Sequence, residues 1–481
     1  MAKQADAHAL AKSALDYAYG WFDYRVWRSR VPGAQAAVII DGDVVMNRGV
    51  GLADIEGGER LGTAHQFRVA SHSKWMTATA LARLVDEGII SFDDTLGRHV
   101  SELEGTHFGE ASLRDLLTHA SGITRDSDDP SFWDGSSAFP DRDRLLATAT
   151  AAADVYAPRA AFKYSNIGYG LLGLALESIT DRSFEESMRE LITRPLGLSR
   201  TVVDVDDRKS AKPVTGYSGI VTDHRRTPLG NASAASLHAA TGFTSTAAEL
   251  ARFGYAHVRG NDEILSERGR QTMQLPVRHY RDRDGAEASY GLGTMIKRIR
   301  GRSWIGHGGS WRGQSTRTLV EPKLGVVVSV LTNAIDGPAE ELATGIAALI
   351  LGSQERQTPP LSLTGDDDIL IGSGTAAPAR TARRIDPSRF VGRFASDWMI
   401  VDVVQLGERL LAVSPQSADP MGTSTELTIV DEHTLRMPVE DGIGPVGELL
   451  HYEFDARGRV KQISGAWRVK PASSLEPFPL Q

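Results

Sequence analysis

The 481-residue sequence predicts an α+β protein: an antiparallel sheet flanked by helices, a helical lobe inserted among its strands, and a small C-terminal antiparallel β-barrel. Three observations lead there. Strand patterns lie at both ends of the first 353 residues, with helical patterns between them. A polar stretch rich in proline and glycine follows at 354–386. Short alternating runs at even spacing then fill 387–481. The expected organisation is an α+β domain over 1–353, a linker over 354–386 and a barrel over 387–481.

Met1 to Val26 reads as an amphipathic helix with Leu10, Leu15, Tyr17, Trp21 and Phe22 on its buried side. It lacks a basic segment followed by a continuous apolar run, which points to a cytoplasmic protein. Gln35 to Ile40 and Val44 to Val50 are strands joined by the turn pair Asp41-Gly42, a hairpin signature. Residues 75–180 are largely helical in pattern. Strands return at 303–332, turning at Glu321 to Gly325, with Val326 to Leu331 as a buried strand. Pro338 to Leu351 is an amphipathic helix opened by proline in its first turn. Strands at both ends of the domain imply that the first and last of them are neighbours.

The linker assignment rests on Gln357-Thr358-Pro359-Pro360, Gly365-Asp366-Asp367-Asp368 and Gly372-Ser373-Gly374-Thr375, which have no period. The barrel strands are expected at Trp398 to Gln405, Arg409 to Val413, Glu426 to Val430, Thr434 to Pro438, Leu449 to Phe454 and Val460 to Trp467.

Composition excludes several classes. A hydrophobic share of 41% with 24% charged residues describes an ordinary globular protein, and a net charge of −8 argues against nucleic acid or an anionic membrane as partner. With no cysteine there is neither a disulfide nor a thiolate metal site. No His-Glu-x-x-His pair supports a zinc hydrolase, and no metal or cofactor is expected. Gly168-Tyr169-Gly170-Leu171-Leu172-Gly173 matches a dinucleotide fingerprint, but it follows no strand; its glycines read as packing sites against the helix that begins near Ser71. Gly-x-Ser-x-Gly, the nucleophile elbow of α/β-hydrolases, occurs nowhere.

Ser71-His72-Ser73-Lys74 opens the apolar helical run from Trp75 to Gly88. The spacing puts Ser71 and Lys74 on one helix face, one turn apart. A lysine amine in an enclosed site loses proton affinity and can take a serine's proton. Tyr164-Ser165-Asn166 and His307-Gly308-Gly309 follow in that order. Ser-x-x-Lys, Tyr-x-Asn and His-x-Gly together resemble the penicillin-recognising serine hydrolases, on the side of the class C β-lactamases, D-aminopeptidases and β-lactamase-like esterases. Phe67 to Ala70, Leu113 to Ile123, Ser245 to Phe253 and Tyr290 to Gly293 resemble connecting segments of the same family.

The resemblance implies a β-lactamase/transpeptidase-like fold and a serine hydrolase acting through an acyl-enzyme at Ser71. Lys74 and Tyr164 would share its proton, and the backbone N–H groups of Ser71 and Ser310 would form the oxyanion hole. Asn166, His307, Gly308 and Gly309 would bind substrate, a small molecule or short peptide. Cleavage of amino-acid amides or small peptides is the leading reading, with carboxylesterase activity next. A catalytically silent ligand-binding module is the alternative of another class. His307, where relatives carry lysine, offers a charge that depends on pH. Loops Arg125 to Arg144 and Asp206 to Ala240 are expected to wall the cleft; Phe132, Trp133 and Tyr217 either line an apolar pocket or serve ordinary loop packing. A homo-oligomer is compatible with all of this.

Overall fold

The computed structural model describes residues 2–126, 130–133, 135–151, 157–204, 211–220, 225–281, 287–353, 385–395, 400–438 and 448–474. The expected linker falls outside the described residues except for Ile385 and Asp386. The chain forms two compact units, residues 22–347 and residues 1–21 with 348–481. The first 21 residues therefore group with the barrel, as does the last turn of the helix Ala339–Ser353.

The larger unit is built on a nine-stranded antiparallel sheet. In chain order its strands are β1 (Gly33–Ile40), β2 (Asp43–Asp54), β3 (Glu59–Arg60), β4 (Arg278–Arg281), β5 (Glu287–Tyr290), β6 (Met295–Ile299), β7 (Arg302–Trp311), β8 (Gln314–Glu321) and β9 (Val326–Thr332). Their spatial order is β3-β2-β1-β9-β8-β7-β6-β5-β4. The first strand lies beside the last, with Ala36 opposite Val330, as the sequence predicts. Every residue of β1 and β9 is buried. Continuous apolar runs of this kind mark strands covered on both faces.

The inserted lobe lies between β3 and β4 in the sequence. It includes α2 (His72–Asp86) and α3 (Asn166–Thr180), both largely buried; the long first helix, Ala2–Arg28, is α1. The glycines of α3 do not face α2. A Cβ on Gly170 would meet Leu237 at 2.8 Å and one on Gly173 would meet Ala239 at 2.8 Å, so the close approach is to residues 235–241. No described helix is long and apolar enough to cross a membrane, and no described group of three or more His, Asp or Glu could hold a metal.

The second unit contains β10 (Gly392–Ala395), β11 (Ile400–Leu406), β12 (Arg409–Val413), β13 (Thr425–Asp431), β14 (Thr434–Arg436), β15 (Leu449–Phe454), β16 (Val460–Gly465) and β17 (Lys470–Pro471). They form one eight-stranded sheet, and a bridge between Ile463 and Val469 brings its two ends together into a nearly closed barrel. Phe390, Val403, Leu435, Leu450 and Ile463 fill its core.

Helix α1 is part of this unit through polar contacts as well. Asp402, opposite Arg393 in the β10–β11 pair, accepts from Arg393 Nε at 2.7 Å and Nη2 at 2.8 Å, and from the Tyr17 hydroxyl at 2.7 Å. Ser13 Oγ accepts from the Gly407 N–H at 2.9 Å. Asp402 is 3% exposed, so removing it strands two donors in a dry setting. Asp402→Ala is expected to cost about 2–4 kcal/mol and Tyr17→Phe about 1 kcal/mol, read by urea unfolding of the full chain. Equal, negligible effects would show that α1 only rests against the barrel.

Candidate active site

Ser71 sits where a short strand, Phe67–Arg68, turns into α2. Ala70 takes φ +47°, a left-handed conformation that a residue with a Cβ adopts only under constraint. The turn is pinned to the sheet. The Arg68 N–H donates to Gln314 Oε1 at 2.7 Å, and His72 Nε2 meets Thr318 Oγ1 at 2.9 Å. Ser73 is buried, donates to the Ala70 carbonyl at 2.6 Å and accepts from the Phe243 N–H at 3.0 Å. Its hydroxyl is fully used in structure, whereas the Ser71 hydroxyl lies beside Lys74 Nζ.

Lys74 is completely buried on the same helix face. Its Nζ lies 3.3 Å from Ser71 Oγ, 2.6 Å from Asn166 Oδ1 and 2.9 Å from the Ala240 carbonyl. Burial holds its pKa well below the ordinary lysine value; Asp126 opposes that shift and Arg125 adds to it. Asn166 Oδ1 and the Ala240 carbonyl both accept from Nζ, and Ser71 Oγ is the third polar atom beside it.

The Asn166 amide is oriented from behind. Its Nδ2 donates to Asp126 Oδ1 at 2.6 Å, so its oxygen must face Lys74. Asp126 Oδ1 also accepts from Trp133 Nε1 at 2.9 Å. Segments 119–125 and 163–167 lock together through Lys163 N–H to His119 O at 2.8 Å, Ser165 Oγ to Thr124 O at 2.7 Å and Asn166 N–H to Arg125 O at 2.7 Å. The Ser165 N–H donates to His119 Nδ1 at 3.1 Å, and the His119 ring lies 4.2 Å from that of Tyr164. Lys74 Nζ stands 4.7 Å from the Tyr164 ring centroid, and the Ser71 hydroxyl acts on the Tyr164 phenol by favouring its ionised form. Burial raises the Tyr164 pKa above the ordinary tyrosine value. Burial thus pushes the two groups beside Ser71 in opposite directions, the amine's pKa down and the phenol's up.

The third motif lies on β7. Trp311 and Gln314 close the two-residue turn to β8, which puts Ser310 and Ser315 at the next, non-hydrogen-bonded pair. The Ser310 N–H therefore points away from β8, beyond Gly306, where β6 has ended. A Cβ on Gly309 would fall 2.1 Å from the Val69 carbonyl. The glycine is needed so that the segment leading into Ser71 can approach the strand.

His307 differs from the expectation of a titrating, substrate-facing charge. It is fully buried, its Nδ1 lies 2.6 Å from the Gly308 carbonyl, and its Nε2 lies 3.1 Å from the Tyr290 hydroxyl. That pattern fits a neutral ring with the proton on Nδ1. Burial pushes its pKa well below the ordinary histidine value, and His72 adds to the shift. The sequence alone cannot reveal this, because burial comes from Tyr290 and His72, both distant in the chain.

The structure thus brings Ser71, Lys74, Tyr164 and Asn166 together, with Ser310 on the adjoining strand edge. His119 lies in a segment that the sequence marks as family-like, and Asp126 and Ala240 lie in the loops expected to wall the cleft, but the sequence gives none of them an individual role; Asp126 lies forty positions from the amide it orients. Phe132 packs on Phe139 and Trp133, while Tyr217 sends its hydroxyl to Glu56 at 2.6 Å. Of the three proposed pocket aromatics, only Trp133 is tied to the site.

Two measurable consequences follow from the buried charges. Asp126→Asn keeps an acceptor for Asn166 but removes a negative charge that raises the Lys74 pKa. The acidic limb of the kcat/KM profile should move to lower pH, whereas Asp126→Leu should reduce kcat by about tenfold or more by freeing the amide to turn. Secondly, His72 and His257, both lowered to about 3, join His119 and His307 in staying neutral in the fold. Unfolded histidines take up protons below about 6.5, so stability should fall as pH drops through that value, by about 2 kcal/mol per histidine that stays neutral in the fold at pH 5. The His307 ring resonances should show no titration between pH 5 and 8.

The beta-lactamase family model matches residues 18–351. Penicillin-binding protein 4 of Amycolatopsis lactamdurans is 28% identical over 363 residues, covering 69% of this chain and 90% of that protein. The match to the protein flp of Staphylococcus aureus (strain MW2), 26% identical, covers 40% of this chain and only 39% of that protein. Among solved structures, the octameric penicillin-binding protein homologue from Pyrococcus abyssi aligns with TM-score 0.64 at 22% identity, over 95% of this chain and 99% of that one. A D-stereospecific amidohydrolase from Streptomyces aligns with TM-score 0.57 at 25% identity, over 70% of this chain and 97% of that one. With the family model covering most of its length, the chain belongs to the beta-lactamase family, within the penicillin-recognising serine hydrolases.

Proposed function

We propose that the protein is a hydrolase that forms an acyl-enzyme at Ser71 and cleaves amide bonds of amino-acid amides or short peptides. The observation that carries this is the setting of Lys74: buried, held by Asn166 Oδ1 and the Ala240 carbonyl, and 3.3 Å from Ser71 Oγ, with its pKa pushed well down by burial. Ser71 Oγ attacks the carbonyl carbon while its proton passes to Lys74 Nζ. The oxyanion is received by the N–H groups of Ser71 and Ser310, each such donor supplying about 2.7–4 kcal/mol of transition-state stabilisation. Tyr164, kept protonated by burial, hands a proton to the departing nitrogen and regains one from Lys74. Water then attacks the ester, with the same groups run in reverse.

The likeness to the D-stereospecific amidohydrolase favours an amide substrate of D configuration. Efficient turnover of β-lactams is not expected, because the third motif presents an uncharged, enclosed histidine.

Ser71→Ala should abolish covalent labelling by a fluorophosphonate, read by intact-protein mass spectrometry, together with hydrolysis of amino-acid p-nitroanilides. Ser73→Ala should keep the label while lowering stability by about 1–3 kcal/mol, since it strands the buried Phe243 N–H. Lys74→Ala and Tyr164→Phe should each lower kcat by several orders of magnitude, and the double variant by less than the product. Labelling that persists in Ser71→Ala would overturn the mechanism.

A further inference from the structure

The family's third motif ordinarily presents a cation, and here it presents a neutral ring. A different cation stands beside the reacting groups. Arg125 belongs to the loop locked onto the Tyr164-Ser165-Asn166 segment. Its carbonyl accepts the N–H groups of Asn166 at 2.7 Å and Ile167 at 3.3 Å, which fixes its backbone at the start of α3. Its guanidinium carbon lies 5.8 Å from the Tyr164 ring centroid. The Arg125 Nε is 3.2 Å from Asp126 Oδ2, which holds the head in place from one side. Its side chain is 54% exposed, while that of Asp126 is 11% exposed. Among the described residues, its Nη groups have no acceptor. A guanidinium held by Nε and open at its two Nη groups presents the paired donor edge that matches a carboxylate.

We propose that Arg125 is a specificity residue that receives a carboxylate of the substrate, next to the bond that Ser71 attacks. This rests on the acyl-enzyme reading above. It assigns a substrate class, an amide or ester with an anionic group close to the scissile carbonyl. Side-chain substitution leaves the carbonyl that caps α3 in place, so the loop keeps its anchor.

The test compares kcat/KM within two matched pairs. One pair is p-nitrophenyl hydrogen glutarate against p-nitrophenyl pentanoate, which places the carboxylate on the acyl side. The other is 3-carboxyphenyl butanoate against phenyl butanoate, which places it on the leaving group. The parent enzyme should favour the carboxylated member of at least one pair. Arg125→Ala should reduce that ratio tenfold or more, Arg125→Glu should invert it, and Arg125→Lys should restore part of it. Thermal unfolding of each variant confirms that the fold is kept. A ratio unchanged in Arg125→Ala, or a parent indifferent to the carboxylate in both pairs, overturns the assignment. Fluorophosphonate labelling of the parent at Ser71 separates the two failures: without it the acyl-enzyme reading falls, and with it only the role of Arg125 does.

Discussion

A lysine amine with no access to water organises this protein. Removing an ammonium from solvent is expensive, and the usual outcome is that the group gives up its proton. Here burial pushes the amine's pKa well down, and two acceptors hold it, the Asn166 amide oxygen and the Ala240 carbonyl. Each acceptor comes from a different part of the inserted lobe, so the lobe must close around α2 for the amine to be satisfied. The same closure buries Tyr164 and moves its pKa the opposite way. One dry setting therefore shifts both groups toward their neutral forms, the amine by lowering its pKa and the phenol by raising it.

Much of the architecture was legible because it rests on local pattern. The Asp41-Gly42 hairpin, the buried run at Val326 to Leu331 and the evenly spaced barrel strands are written in period and turn chemistry over a few residues each. The clustering of Ser71, Lys74, Tyr164 and Asn166 was legible for a different reason: Ser71 and Lys74 share a helix turn, and Tyr164 and Asn166 belong to one short motif. What could not be read depends on tertiary approach. Asp126 looks like any loop acid until α3 brings Asn166 beside it. His307 looks accessible between its glycines until Tyr290 and His72 close over it. The glycines of α3 were assigned to the wrong neighbour because their period announces close packing without naming the partner.

The histidines make the same point about environment. Four rings that would titrate near neutrality in water are held uncharged by burial, each with hydrogen bonds that fit the neutral form. The strand residues Thr316 and Thr318 serve His72 in this way, with Thr316 Oγ1 at 3.2 Å from Nδ1 and Thr318 Oγ1 at 2.9 Å from Nε2. Such polar columns inside a sheet have one satisfactory arrangement, which helps define where α2 begins.

The association of α1 with the barrel has a bearing on synthesis. Tyr17 and its acceptor Asp402 are 385 positions apart. On the ribosome, the sheet of the larger unit can be completed once β9 has emerged, because its first and last strands both lie before residue 333. The Tyr17 and Ser13 contacts to Asp402 and Gly407 can form only after β11 has been made, so this part of α1 waits for them through most of synthesis, an interval in which a nascent helix is open to chaperones.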